Sequence, residues 1–281
     1  MNSKTEKVSE QVYELKQLEK EFWEDASCGE KLYLDTPSRE GYLKHLQKRY
    51  ELEPEILSFA QFEKHTGHKV LEIGLGLGAD HQKWAEAGAF LIGVDLTKRA
   101  IEHTRRRFHL LGLTPRLQVA DAENLPFQDN TFDLVYSWGV LMCTPDTPKA
   151  IIEAYRVLKP GGTAKIMIYH KYSIVGYMLW LRYALLRGRP FTPLLDIYMK
   201  YLESPGTKAY SVKEARKLFM DYEIESINTF LTHGDLLTSG AGQRHQGFLL
   251  TLARIIWPHW LIRFLFPRYG LFMTINALKI K

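Results

Sequence analysis

Between residues 69 and 170 short apolar runs alternate with segments whose apolar positions recur every three or four residues. The runs are KVLEIG, AFLIGVDL, RLQVAD, FDLVYSW and GTAKIMIYH, each of strand length. Between them lie DHQKWAEAG, TKRAIEHTRRRFHLLG and TPKAIIEAYRVLKPGG, which carry a helical period; the last stops on Pro-Gly-Gly. Alternating strands and helices predict a parallel sheet wound on both faces. Upstream, residues 5–24 read as a charged helix with a sparse stripe of Val8, Val12, Leu15, Leu18 and Phe22. Residues 36 to about 67 read as further helix broken near Pro54. Downstream the alternation is interrupted by a mostly helical stretch to about Gly206. SVKEARKLFM then opens with a capping box, Ser211 with Glu214. YEIESINTFLT is a sixth strand, and GLFMTINALKI a last one after a second interruption. The pattern predicts a helical extension or cap over residues 1–66. One domain over 67–281 follows, with insertions at about 172–206 and 234–268.

Composition narrows this picture modestly. The 281 residues are 46% hydrophobic, enough for a sizeable core. Lys plus Arg is 37 against 32 for Asp plus Glu, an excess too mild to imply nucleic acid. Cys28 and Cys143 form neither a disulfide framework nor a metal-ligand spacing, so a reducing, cytoplasmic setting and no metal are expected. The first residues lack an apolar signal core, and no run reaches about 18 uncharged apolar residues.

The chemistry concentrates in VLEIGLGLGAD. Gly74, Gly76 and Gly78 follow a strand and precede a helix, at the edge where parallel sheets bind ligands. Their even spacing departs from the dinucleotide fingerprint, and Glu72 would repel a pyrophosphate. An acid there suits a cation such as the α-ammonium of an amino acid. Asp95 ends the second strand, followed by Leu96, where a carboxylate accepts ribose hydroxyls. Asp121 ends the third strand, where an adenine edge would lie. A cationic amino acid, a ribose and an adenine together make S-adenosylmethionine (SAM).

With these motifs the chain resembles the class I SAM-dependent methyltransferases, in particular the type 11 small-molecule group. VLEIGLGLGAD, GVDLT, DAENLPFQDNTFDLVYSWGVLMCTPD and RVLKPGG carry the resemblance, in order, across about a third of the chain. It implies a Rossmann-like, doubly wound seven-stranded sheet with the last strand antiparallel. It also implies that the three glycines pack under SAM, that Asp95 holds the ribose and that Asp121 with Ala122 reads the adenine. Ser137 and Trp138 would flank the methionine and substrate side. Where many relatives carry histidines after the fourth strand, this chain has Met142 and Cys143. Both become candidate walls of the acceptor pocket.

Other acceptor candidates come from the strand ends and the extension. Tyr169, His170 and Tyr172 leave the fifth strand, with His170 as a candidate general base. His233 and His245 lie in the second insertion. Trp23 and Tyr33 flank a Cys-Gly pair that reads as a plug over the cleft. A small-molecule acceptor is expected and nucleic acid is not, since SWGV replaces the Asn/Asp-Pro-Pro-aromatic loop of amino-methylating DNA enzymes. Arginines mixed with aromatics in both insertions fit three readings: a substrate lid, plain packing, or peripheral contact with a membrane surface. Methylation of a lipid-linked acceptor and a catalytically idle SAM-binding protein are the rival functions. The acceptor, the attacked atom and the oligomeric state stay open.

Overall fold

The computed structural model describes residues 3–238 and 257–280, with side-chain environments from residue 10 onward. Seven strands form one sheet: β1 (Lys69–Ile73), β2 (Phe90–Asp95), β3 (Leu117–Val119), β4 (Phe132–Trp138), β5 (Leu158–Tyr169), β6 (Tyr222–Phe230) and β7 (Phe272–Lys279). Their spatial order is β3-β2-β1-β4-β5-β7-β6. The first five pair in parallel, whereas β7 runs antiparallel to both β5 and β6. The expected Rossmann-like sheet with an antiparallel last strand is therefore the fold. β1 and β4 are buried at nearly every position because helices cover both faces, so they read as continuous apolar runs.

The helices before the sheet are α1 (Ser3–Asp25), α2 (Glu30–Tyr33), α3 (Arg39–Leu52) and α4 (Glu55–Ala60), followed by a 3-10 turn at Phe62–His65. Pro54 stands at the break between α3 and α4. The winding helices are α5 (Ala79–Glu86), α6 (Lys98–Leu111) and α7 (Thr147–Val157). Thr97 and Asp146 cap α6 and α7, each accepting a backbone N–H of the first turn. The first insertion contains α8 (Ile174–Tyr183) and α9 (Leu194–Tyr201), and α10 (Val212–Leu218) starts with the expected capping box. The described part of the second insertion contains α11 (His259–Leu265).

One boundary differs from the sequence reading. Lys159, Pro160, Gly161 and Gly162 do not follow a helix stop as a loop but belong to β5, which begins at Leu158. Leu158 pairs with Phe132, and the register then shifts so that Thr163 pairs with Leu134. The Pro-Gly-Gly segment ends the helix and absorbs that irregularity within the strand.

Topology fixes where a ligand can sit. Because β6 is antiparallel to β7 and β7 antiparallel to β5, both insertions leave the sheet at the edge where β1, β2 and β4 also end. They meet through Asp235, whose carboxylate accepts the N–H groups of Val175, Thr232 and Leu271. Each acceptance satisfies a buried donor at the base of α8, β6 or β7.

Candidate active site

At this edge lies a cleft enclosing about 1290 Å³ including its open mouth. Its floor is the turn after β1. Gly74, Gly76 and Gly78 all have positive φ. At Gly74 a Cβ would stand 2.1 Å from a methyl of Val140, so only glycine lets the β1 and β4 turns meet. At Gly76 the same atom would meet nothing within 4 Å among the described residues, and the glycine lines the cleft. Gly78 packs instead on Thr104 and caps α5 without lining the cleft.

Three acids surround this turn. Asp95 is held rigidly: Oδ2 accepts from Leu75 N–H at 2.8 Å, and Oδ1 accepts from Thr97 N–H at 2.9 Å and Thr97 Oγ1 at 2.8 Å. Burial pushes its pKa up against the pull of those donors. Spare lone pairs remain for a ribose. Glu72 is buried, with Oε2 at 2.9 Å from His81 Nδ1. Burial takes the His81 pKa down to about 3, while burial and Asp80 push Glu72 well above the carboxylate range. The pair is therefore a neutral hydrogen bond; Arg49 pulls on Glu72 only through space, and among the described residues no cation is bonded to it. Asp80 does: Arg49 Nε and Nη2 donate to its two oxygens at 2.9 and 2.8 Å, and the Tyr50 and Tyr136 hydroxyls add two more bonds. Burial opposes its ionisation, yet Arg49 and the hydroxyls hold its carboxyl below the usual range.

The opposite wall comes from the extension. Lys16, Glu19 and Trp23 follow helical spacing along α1, and His45, Arg49 and Glu53 follow it along α3; all six line the cleft. Lys16 Nζ reaches Asp121 Oδ2 at 2.6 Å and Glu123 Oε2 at 2.5 Å. Glu53 accepts from Trp138 Nε1 at 2.9 Å. The far end is closed by Cys28, Cys143, Tyr169, Glu203 and Phe272, with Tyr169 donating its hydroxyl to Glu203 at 2.8 Å. Cys28 is exposed at the cleft, where desolvation, with Glu203 and Glu53, pushes its thiol up to about 12; burial pushes up Cys143 too, so neither is a thiolate at neutral pH.

The structure sorts the expected residues clearly. Glu72, Gly74, Gly76, Asp95, Leu96, Asp121, Ala122, Trp138, Trp23, Cys143 and Tyr169 share the one cleft. Ser137 does not reach it; its hydroxyl donates to the Ile73 carbonyl beneath the sheet edge. Met142 is wholly buried behind Cys143, its own carbonyl taken by Lys208 N–H. His170 is corrected as a candidate base. Strand alternation turns Tyr169 into the cleft and His170 away from it. There His170 is buried against β7, with Nδ1–H donating to the Gly270 carbonyl and its N–H to Leu271. Burial lowers its pKa. Tyr172 is on the exterior surface beside His170. Tyr33 packs against Gly29, and His233 lies near Lys48; neither lines the cleft. His245 lies outside the described residues.

The sequence reading missed Lys16, Glu19, His45, Arg49, Glu53 and Glu203. A signal existed for five of them: polar residues three or four positions apart, Lys16 and Glu19 from α1 and His45, Arg49 and Glu53 along α3 and its C-cap. A search for apolar stripes passes over it.

Whether SAM fits can be asked of the residues themselves. Glu72 is a buried acid with no cation bonded to it among the described residues, and Gly76 leaves open space beside a positive-φ backbone. Both suit a ligand that brings an ammonium and packs on the turn. Comparison with known proteins agrees. A family model described as a methyltransferase domain matches residues 71–166. An uncharacterized protein of Mycobacterium tuberculosis is 36% identical over 144 residues, 51% of this chain and 50% of that protein, so the match spans about half of the relative's length. The demethylmenaquinone methyltransferase of Streptomyces avermitilis is 31% identical over 228 residues, covering 72% of this chain and 90% of that enzyme. Among solved structures, a SAM-dependent methyltransferase from Methanosarcina mazei shares the fold with a TM-score of 0.55 at 20% identity, over 81% of this chain and 97% of that one. The chain belongs to the class I SAM-dependent methyltransferases, in the type 11 group.

Proposed function

We propose that the protein transfers a methyl group from SAM to an oxygen or nitrogen of a small, partly apolar molecule. The observation that carries this reading is the single cleft, which joins the glycine turn and its acids to an aromatic chamber of Trp23, Trp138, Tyr169 and Phe272. Glu72 would pair with the α-ammonium, Asp95 would hold the ribose, and Asp121 with Ala122 would face the adenine. Bound SAM supplies an electrophilic methyl group. The remaining task falls to the chain, which must hold the acceptor in line and exclude water. Such alignment can contribute about 7–11 kcal/mol, so a missing histidine base does not argue against turnover.

Two measurements test this. Calorimetry with SAM and with its demethylated product S-adenosylhomocysteine (SAH) should show binding, and NAD should not bind. Incubation with SAM and a metabolite extract should produce SAH. Binding without any turnover would favour the idle SAM-binding alternative.

A second reading, a lipid-like acceptor met at a membrane surface, is favoured by the outer faces of the insertions. Phe191 is 96% exposed, Phe264 79% and Trp260 74%, and Arg189 and Arg263 neighbour them in sequence. The relative from Streptomyces avermitilis is named for demethylmenaquinone. No described helix is long and apolar enough to cross a membrane. Sedimentation with anionic vesicles at low salt tests the reading; no binding would end it and leave the methyl-transfer reading intact.

A further inference from the structure

We propose that Glu19 anchors a protonated amine on the methyl acceptor, so that the acceptor half of the cleft takes an apolar molecule with an ammonium head. This rests on the SAM reading above, which assigns the glycine turn and its acids; Glu19 acts on Cys143 at the far end as well as on Asp121 and Glu123 at the adenine end.

Glu19 is only 5% exposed, and its side chain lines the cleft. Its Oε2 has no hydrogen-bond partner among the described residues. A buried carboxyl oxygen left alone is costly, and native proteins rarely keep one unless a ligand completes it. The nearby described cations act on Glu19 only through space, and none donates a hydrogen bond to Oε2. Lys16 bridges Asp121 and Glu123. Lys208 Nζ donates to the Thr144 carbonyl at 2.7 Å. Arg49 is held by Asp80. The thiols of Cys28 and Cys143 are uncharged, and Glu203 adds a further acid to the same chamber.

The walls match such a ligand. Trp23 lies one helical turn beyond Glu19, and Tyr169, Trp138 and Phe272 complete an aromatic lining. Carboxylate plus aromatic faces is the chemistry that holds ammonium groups. The same acids disfavour a phosphate or a carboxylate on the acceptor. Burial pushes Glu19 up to about 8, with Lys208 and Lys16 pulling it down and Glu123 and Asp121 pushing it further up. An ammonium beside it would restore the carboxylate and expel a proton near neutral pH.

The test uses the full chain saturated with SAH. Phenethylammonium and its neutral counterpart 2-phenylethanol are titrated by calorimetry at pH 7 in buffers of different ionisation enthalpy. The ammonium should bind about tenfold tighter or more, with proton release. Glu19→Gln should abolish both the preference and the proton release while SAH affinity stays within about twofold. Glu19→Asp keeps the charge and should retain the preference, which covers the case in which Glu19→Gln folds poorly. Equal affinities in the wild type, tighter binding of the alcohol, or a preference untouched by Glu19→Gln would overturn the proposal. Failure of the wild type to bind SAH would instead refute the SAM reading; the same comparison on the unliganded chain then still decides the role of Glu19.

Discussion

The two walls of the cleft are built on opposite principles. The sheet-edge wall is backbone: a turn that only glycines permit, with carboxylates locked by main-chain donors, as at Asp95. The extension wall is side chain: Lys16, Arg49 and Glu53 reach across from α1 and α3 and hold their places through charge, with Glu19 beside them. A backbone wall suits a ligand that never varies, because geometry is fixed by φ/ψ. A side-chain wall can be exchanged residue by residue, which suits the part of a site that chooses an acceptor.

If the extension is integral rather than an appended cap, its main anchor must matter to folding. Removing Arg49 leaves Asp80 buried beside Glu72 without its guanidinium. Arg49→Ala is expected to destabilise the whole domain by about 3–5 kcal/mol in urea unfolding. A change below about 1 kcal/mol would mean that α3 only rests on the sheet.

The backbone wall gives a sharper pair. Gly74→Ala drives a methyl into Val140 and should lower stability by about 2–4 kcal/mol, with SAM affinity lost alongside. Gly76→Ala meets no atom of the described residues within 4 Å, so it should cost only about 1–2 kcal/mol of left-handed strain. It should nevertheless reduce SAM affinity at least as severely, since Gly76 lines the cleft on which SAM would pack. Intact SAM binding in a folded Gly76→Ala variant would place the ligand elsewhere.

This contrast also explains what the sequence disclosed. The turn, Asp95 and the succession of strands and helices were legible because glycine spacing, strand-end acids and apolar periodicity are local consequences of chain geometry. The α1 wall was not. An apolar stripe of Val12, Leu15 and Leu18 suggested its buried face, yet Val12 and Leu18 are exposed and Glu19 is buried. A helix that covers a polar ligand site hides polar residues, so hydrophobic periodicity points to the wrong face. His170 failed for a different reason. The end of a strand reaches the cleft, but alternation lets only every second side chain face it, and Tyr169 takes that place. Met142 and Cys143 divide the same way, one behind the wall and one in it.

Glu72 links the two walls through pH. Its folded pKa is raised by burial and by Asp80, so the unfolded chain loses that proton first. The unliganded protein should therefore lose stability as pH rises from the usual carboxylate range through the folded pKa of Glu72. The buried neutral histidines His45 and His81, each lowered to about 3, act with the opposite sign between about 3 and their ordinary values. The difference in melting temperature between wild type and Glu72→Gln isolates the acid's share. It should grow in favour of the variant as pH rises, and it should shrink or reverse with SAM present, because the ligand's ammonium stabilises the carboxylate. A pH-independent difference would remove Glu72 from the ammonium site.

The smallest effect is expected at Lys16, where the walls meet over the adenine end. Its ammonium bridges Asp121 and Glu123, and Asp121 is the acid assigned to the adenine edge. Two consequences compete. As a rival for the Asp121 oxygens, Lys16 would weaken adenine binding; as a strap that holds α1 down, it would slow escape. The Lys16 side chain is 20% exposed and Glu123 3%, so the Glu123 arm survives even when Asp121 turns to the ligand. That asymmetry favours the strap. Partly exposed pairs contribute about 1 kcal/mol at most, which is about fivefold in rate. Lys16→Met should thus accelerate SAH dissociation by up to about fivefold in stopped-flow measurements. The acceleration should fade at high salt, where the wild-type bridge is itself screened. Slower dissociation would show that Lys16 competes with the adenine. An unchanged rate would mean that α1 stays closed through Trp23 and the Arg49 anchor, leaving the extension wall as fixed as the sheet edge it faces.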